Sequence, residues 1–136
     1  PPKDKGGYID NEKDAGEFCR LTSNNDQVEV AYLVTITEAG EELYFVQKWI
    51  DNSIKSSDNY TTPGKGSYRY HDGNKIIEQH HYAPENDNRI YTEPGSDDFD
   101  FSGKIQGPVY HHGGNGRIFE IRYPNPKPIL HFPIIR

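Results

Sequence analysis

From Ser56 onward the chain is cut repeatedly by turn-forming residues: a Ser/Asn/Pro/Gly-rich stretch over 56–66, then His71-Asp72-Gly73-Asn74, Pro84, Pro94-Gly95, Gly113 to Gly116 and Pro124-Asn125-Pro126. Glycine costs conformational entropy inside a regular element and proline removes a backbone donor, so neither sits well within a helix or a central strand. The segments left between these breaks are mostly short. They suit strands of a few residues joined by turns, ending in a last strand around Ile129 to Phe132.

Upstream the pattern is different. Residues 1–17 are rich in Lys, Asp, Glu and Gly and read as a flexible leader, with a single domain over 18–136. Val28, Val30, Tyr32, Val34 and Ile36 alternate as a strand would, while Val28, Ala31, Tyr32 and Ile36 also line one helical face. Ser23 to Asp26 and Gly40 would cap a helix between them, and the reading here is helix. Leu43, Val46, Ile50 and Ile54 continue a helical spacing, although Tyr44-Phe45-Val46 would suit a strand. The expected class is α+β, one N-terminal helix packed on a twisted antiparallel β-sheet. Apolar residues are only 32% of the chain, but ten Tyr, six Phe and one Trp can fill a core. The longest apolar runs, Ala31 to Ile36 and Pro128 to Ile135, are too short for a membrane span, and no membrane association is expected. The single cysteine, Cys19, cannot form an internal disulfide.

Charge is unevenly placed. Residues 1–100 carry 10 Lys and Arg against 20 Asp and Glu, whereas residues 101–136 carry five bases and one acid, Glu120. The basic end, with Tyr110, His111, His112, Arg117, Arg122, Tyr123 and His131, suits a local anion such as phosphate better than a coat along nucleic acid. Of the six histidines, four form the pairs His80-His81 and His111-His112. Neighbours on a strand point to opposite faces, so each pair offers one ligand to a shared ion; these four are expected as surface or loop histidines, and no metal or other cofactor is expected. No nucleophile elbow, phosphate-binding glycine loop or dinucleotide fingerprint occurs.

Asp100, Arg117 and His131 remain as a carboxylate, an arginine and a histidine at the ends of successive C-terminal segments. Such a set suits phosphodiester cleavage without a metal: the carboxylate takes the ribose 2′-hydroxyl proton, the arginine neutralises the phosphoryl oxygens, and the histidine protonates the departing 5′-oxygen. The reading requires the three to converge on one face of a sheet.

The stretch Phe99-Asp100-Phe101, Gly107-Pro108-Val109-Tyr110, Gly113-Gly114, Gly116-Arg117-Ile118-Phe119 and Pro128-Ile129-Leu130-His131 resembles the C-terminal half of the fungal guanyl-specific ribonucleases. Gly66-Ser67-Tyr68-Arg69-Tyr70-His71 and Phe18-Cys19 are similar to earlier segments of that family. The resemblance implies Asp100 as general base, Arg117 as phosphate clamp and His131 as general acid, with Tyr68, His71 and Tyr110 binding substrate. Asp100 stands where the family carries glutamate, which retracts the carboxylate and implies weakened catalysis. The chain also resembles the ribonuclease-like secreted effectors of powdery mildew and related plant-pathogenic fungi, which keep the fold and largely lose the chemistry. That implies a secreted, monomeric effector, delivered into a host cell, whose partner is host RNA or a host protein and which is open to a plant immune receptor. Two alternatives stand beside it: an active metal-independent endoribonuclease forming a 2′,3′-cyclic phosphate, and an α+β interaction domain unrelated to RNA.

Overall fold

The computed structural model describes residues 7–48, 69–85 and 94–131, so Tyr68 and the expected loop at 56–66 lie outside the described residues. The element order is β1 (Gly7–Ile9), α1 (Glu12–Asp26), β2 (Val30–Ile36), β3 (Glu42–Lys48), β4 (Tyr70–His71), β5 (Asn74–Tyr82), α2 (Ser96–Ile105), β6 (Val109–His112), β7 (Ile118–Ile121) and β8 (Ile129–His131). Among the described residues eight strands form one sheet, seven in the order β1-β3-β2-β5-β6-β7-β8 and β4, off this path, paired with β5. The class is α+β, with the N-terminal helix packed on the sheet. Every pairing is antiparallel except β5 with β6, which run parallel because α2 carries the chain back between them. No helix among the described residues is long and apolar enough to cross a membrane.

The upstream elements correct the sequence reading. Residues 7–17, expected as leader, form β1 and the first part of α1. The Asn11 side chain caps the helix, its Oδ1 accepting from the Asp14 N–H at 3.1 Å, and Glu12 and Asp14 place negative charge at its positive end. Ala15, Cys19 and Ser23 recur every four residues and are buried against the sheet. Ser23 to Asp26 therefore end a helix rather than start one. The expected helix between them and Gly40 is instead β2, a central strand buried on both faces, and the segment beginning at Glu42 is β3.

The pleat of the sheet separates two cores. On the α1 side, Val30, Tyr32, Val34, Tyr44, Val46 and Tyr82 pack with Ala15 and Cys19. On the opposite side Leu33, Phe45, Ile76, Val109 and Ile121 pack with Phe101 and Ile105 of α2. Phe99-Asp100-Phe101, expected as a strand, thus lies in a helix, and its buried residues Phe101, Ser102 and Ile105 follow helical spacing. Two glycines are required by geometry. Asp72 and Gly73, at φ 50° and 80°, make the two-residue hairpin joining β4 to β5. A side chain at Gly107 would collide with the Ile77 backbone carbonyl, so the turn from α2 into β6 can press against β5 only with glycine there.

α1 packs on β1, β2, β3 and β5. Among the described residues, no helix covers the β6, β7 and β8 half of that face.

Candidate active site

The α1 side of the sheet carries aromatic and polar side chains in cross-strand rows that run from beneath α1 into the uncovered half. Tyr32, His80 and Tyr110 come from β2, β5 and β6 in register, and their rings stack at 4.7 Å and 4.6 Å between centroids. Tyr110 is paired in turn with Glu120 of β7, and its ring centroid lies 6.2 Å from that of His131 on β8. A second row stacks Tyr82 on His112 at 3.9 Å. Alternation along each strand keeps Glu78 with His80, and Glu120 with Arg122, on this same face.

Two carboxylate–histidine pairs result. Glu78 Oε2 lies 2.6 Å from His80 Nε2, and His80 Nδ1 lies 3.0 Å from His112 Nε2. Glu120 Oε1 lies 2.9 Å from His131 Nε2, while Glu120 Oε2 accepts from Arg122 Nε at 2.8 Å and Nη2 at 2.7 Å. Tyr110 stands between the pairs: its hydroxyl lies near Arg122 and in the field of both Glu120 and Glu78. Burial, reinforced by those two carboxylates, raises its pKa. Burial alone would raise that of Glu120 too, but the hydrogen bonds and charges of His131 and Arg122 outweigh it and hold Glu120 below the ordinary carboxylate value. Access is open, for the His131 and Arg122 side chains are 42% and 55% exposed.

Toward α1 the face runs into a groove of about 430 Å³ lined by Glu12, Gly16, Arg20, Tyr82, His112 and Ile118, among others. Glu12 reaches over its edge, accepting from the Tyr32 hydroxyl at 3.0 Å and lying 3.8 Å from His80. Donor atoms of Glu12, Glu78 and His80 all fall within 4.8 Å of one another.

The expected trio of Asp100, Arg117 and His131 does not converge. Asp100 is exposed on α2, the helix covering the opposite face of the sheet. Arg117 is exposed in the turn before β7, at the other end of that strand from Arg122. Only His131 stands in the site, where Glu120 and Arg122 supply the carboxylate and the guanidinium. Tyr110 lies on this face, between the two carboxylate–histidine pairs. His71 is not: it is buried against Phe45, 3.9 Å between ring centroids, with its Nδ1 2.7 Å from the Tyr8 hydroxyl. Nor are the paired histidines loop residues, since all four lie on strands and His81, His111 and His112 are buried. The signal for Glu120 was its standing as the one acid in a basic segment, two residues from Arg122. No family model, curated protein or solved structure matches this chain.

Proposed function

We propose that the open sheet face cleaves RNA by metal-independent acid–base catalysis, forming a 2′,3′-cyclic phosphate. The observation that carries this is the pair of carboxylate–histidine contacts, Glu78–His80 and Glu120–His131, on either side of Tyr110 and Arg122. The base Glu78 stands on β5 and the acid His131 on β8, three strand spacings or about 14 Å apart in a sheet. A reacting phosphodiester with hydrogen bonds of about 3 Å to its attacking and leaving oxygens spans about 10 Å, so the two side chains lean in over Tyr110, whose ring centroid lies 6.2 Å from that of His131. Glu78, oriented by His80, takes the 2′-hydroxyl proton as that oxygen attacks phosphorus. Arg122 and the Tyr110 hydroxyl hold the non-bridging oxygens where charge accumulates. The phosphorus–O5′ bond breaks and His131, its Nε2 held by Glu120, delivers a proton from Nδ1 to the 5′-oxygen.

Weakened catalysis was expected because Asp100 stood in place of a glutamate. With Glu120 against His131 that reason falls away, and the active endoribonuclease is the reading proposed. Kinship with the guanyl-specific ribonucleases, secretion, action as a fungal effector and engagement of a plant immune receptor are supported by the sequence resemblance alone.

The test is cleavage of a short labelled RNA by the purified chain with no added divalent ion, with product ends examined for cyclic phosphate. Cleavage should fall by about 10²-fold or more in His131→Ala and fall strongly in Arg122→Ala, while Arg117→Ala retains it. Absence of cleavage in the wild type, or equal loss in both arginine variants, refutes the site.

A further inference from the structure

The opposite face of the sheet carries a second cluster, separate from the proposed catalytic residues. His81 of β5 and His111 of β6 are register partners on the parallel pair, with His81 Nε2 2.7 Å from His111 Nδ1. Asp98, in the first turn of α2, brings Oδ1 to 3.4 Å from His81 Nε2, while its Oδ2 is anchored by the Gly95 N–H at 2.9 Å. Glu29, just before β2, brings Oε1 to 3.7 Å from the same nitrogen. His81, His111 and Glu29 are inside the protein, 2%, 3% and 5% exposed, and the Asp98 side chain is 18% exposed at its edge. Donor atoms of His81, Asp98 and His111 lie within 4.8 Å of one another.

The other side of the His81 ring bears on what its Nε2 can do. Nδ1 lies 3.1 Å from the Gln79 side-chain oxygen; with the ring proton on Nδ1 and donated to that oxygen, Nε2 presents a lone pair to the cluster. Gln79 keeps that orientation although its Nε2 then has no partner among the described residues. Imidazole nitrogens and two carboxylates thus crowd a buried space, where a cation among them would offset their mutual repulsion. An imidazole that gives its second N–H to an amide oxygen while its free nitrogen faces carboxylates matches the surroundings of a metal-bound histidine.

We propose that His81, His111, Asp98 and Glu29 bind one divalent transition-metal ion of the zinc type in a structural role, tying α2 and the start of β2 to the β5–β6 junction. Two neutral imidazoles and two carboxylates leave a dipositive ion electrically neutral, and nitrogen with oxygen donors suits zinc. Bonds of about 2.0–2.2 Å to a tetrahedral ion put neighbouring donors about 3.3–3.6 Å apart. The separation of Asp98 from His81 is near that range, the two imidazoles need open only slightly by side-chain rotation, and Glu29, 3.7 Å from His81 but outside the group of donors mutually within 4.8 Å, must swing in to complete the set. A set of four protein ligands that is mostly buried fits a structural site, since a catalytic metal keeps a position open to substrate.

The test uses the untagged full chain, stripped by a chelator and titrated with zinc and, separately, cobalt(II). One equivalent should bind, with a zinc-dependent rise in Tm and the intense visible absorption of tetrahedral cobalt. Asp98→Asn and Glu29→Gln should each weaken zinc binding by about tenfold or more, whereas Glu78→Gln on the other face should leave it unchanged. Should either variant fail to fold, the wild-type cobalt spectrum still decides, because a weak octahedral spectrum overturns the site. So do absence of saturable binding, binding unaffected in the folded variants, or binding abolished by Glu78→Gln, which would place the ion with Glu12 and His80.

Discussion

Glu120→Gln keeps the shape of the side chain and removes one acceptor oxygen and the charge. The wild-type carboxylate accepts from His131 on one oxygen and twice from Arg122 on the other. An amide has only one acceptor, so whichever way it turns, its NH₂ group faces a donor. The loss is one charge-assisted hydrogen bond, about 1.5–3 kcal/mol, which is about ten- to a hundredfold in kcat/KM if the affected group acts in the transition state. Folding should be far less affected, by about 1 kcal/mol or less at neutral pH, because Arg122 is half exposed and can be rehydrated. The pH dependence separates the two states further. The folded pKa of Glu120 is depressed, so its contribution to stability is present above the unfolded carboxylate value and is lost as pH falls through the folded one. The stability gap between wild type and Glu120→Gln should therefore close as pH drops below the ordinary carboxylate value of about 4.3. RNA cleavage and urea unfolding measured on the same preparations check both effects. Unchanged cleavage in Glu120→Gln, or comparable loss in Asp100→Asn, would refute the assignment of the carboxylate.

Gly107→Ala should destabilise the fold by about 1–3 kcal/mol, since the added methyl group meets the Ile77 backbone carbonyl and cannot be relieved by rotating a side chain; an unchanged urea midpoint would contradict that close approach. Cys19 is fully buried and burial pushes its thiol pKa well up, so the native chain should resist a thiol reagent that labels it completely in denaturant. Rapid labelling under native conditions would show that α1 does not seal the core as described.

The turns of the second half were legible because their residues are there for conformational reasons: Asp72-Gly73 adopts left-handed backbone at the β4–β5 hairpin, and Gly116 does so before β7. The first half misled for a physical reason as well. β2 is buried on both faces, so its apolar residues run continuously and carry no period that separates strand from helix. α1 was hidden for the opposite reason. Its buried stripe is Ala15, Cys19 and Ser23, small residues that let a helix lie close to the sheet while contributing almost no hydrophobic signal. At Phe99-Asp100-Phe101 two aromatics spaced by one residue imitate a strand, and the helical spacing emerges only with Ser102 and Ile105.

The site was half legible, and the reason lies in the pleat. Adjacent histidines on a strand must face opposite ways, a constraint that seemed to argue against any shared ligation. Two such pairs in register on neighbouring strands turn that argument around: His81 meets His111 on the α2 side, while His80 meets His112 on the α1 side, at the margin of the open half. One alternation therefore feeds two polar clusters on opposite faces, and which face stays open is decided by where α1 and α2 pack, a tertiary fact that no local pattern contains. The same parity explains the carboxylate. Glu120 and Arg122 are two apart on the open face, opposite Tyr110 and beside His131, so the pairing of strands, rather than proximity along the chain, selects them over Asp100 and Arg117.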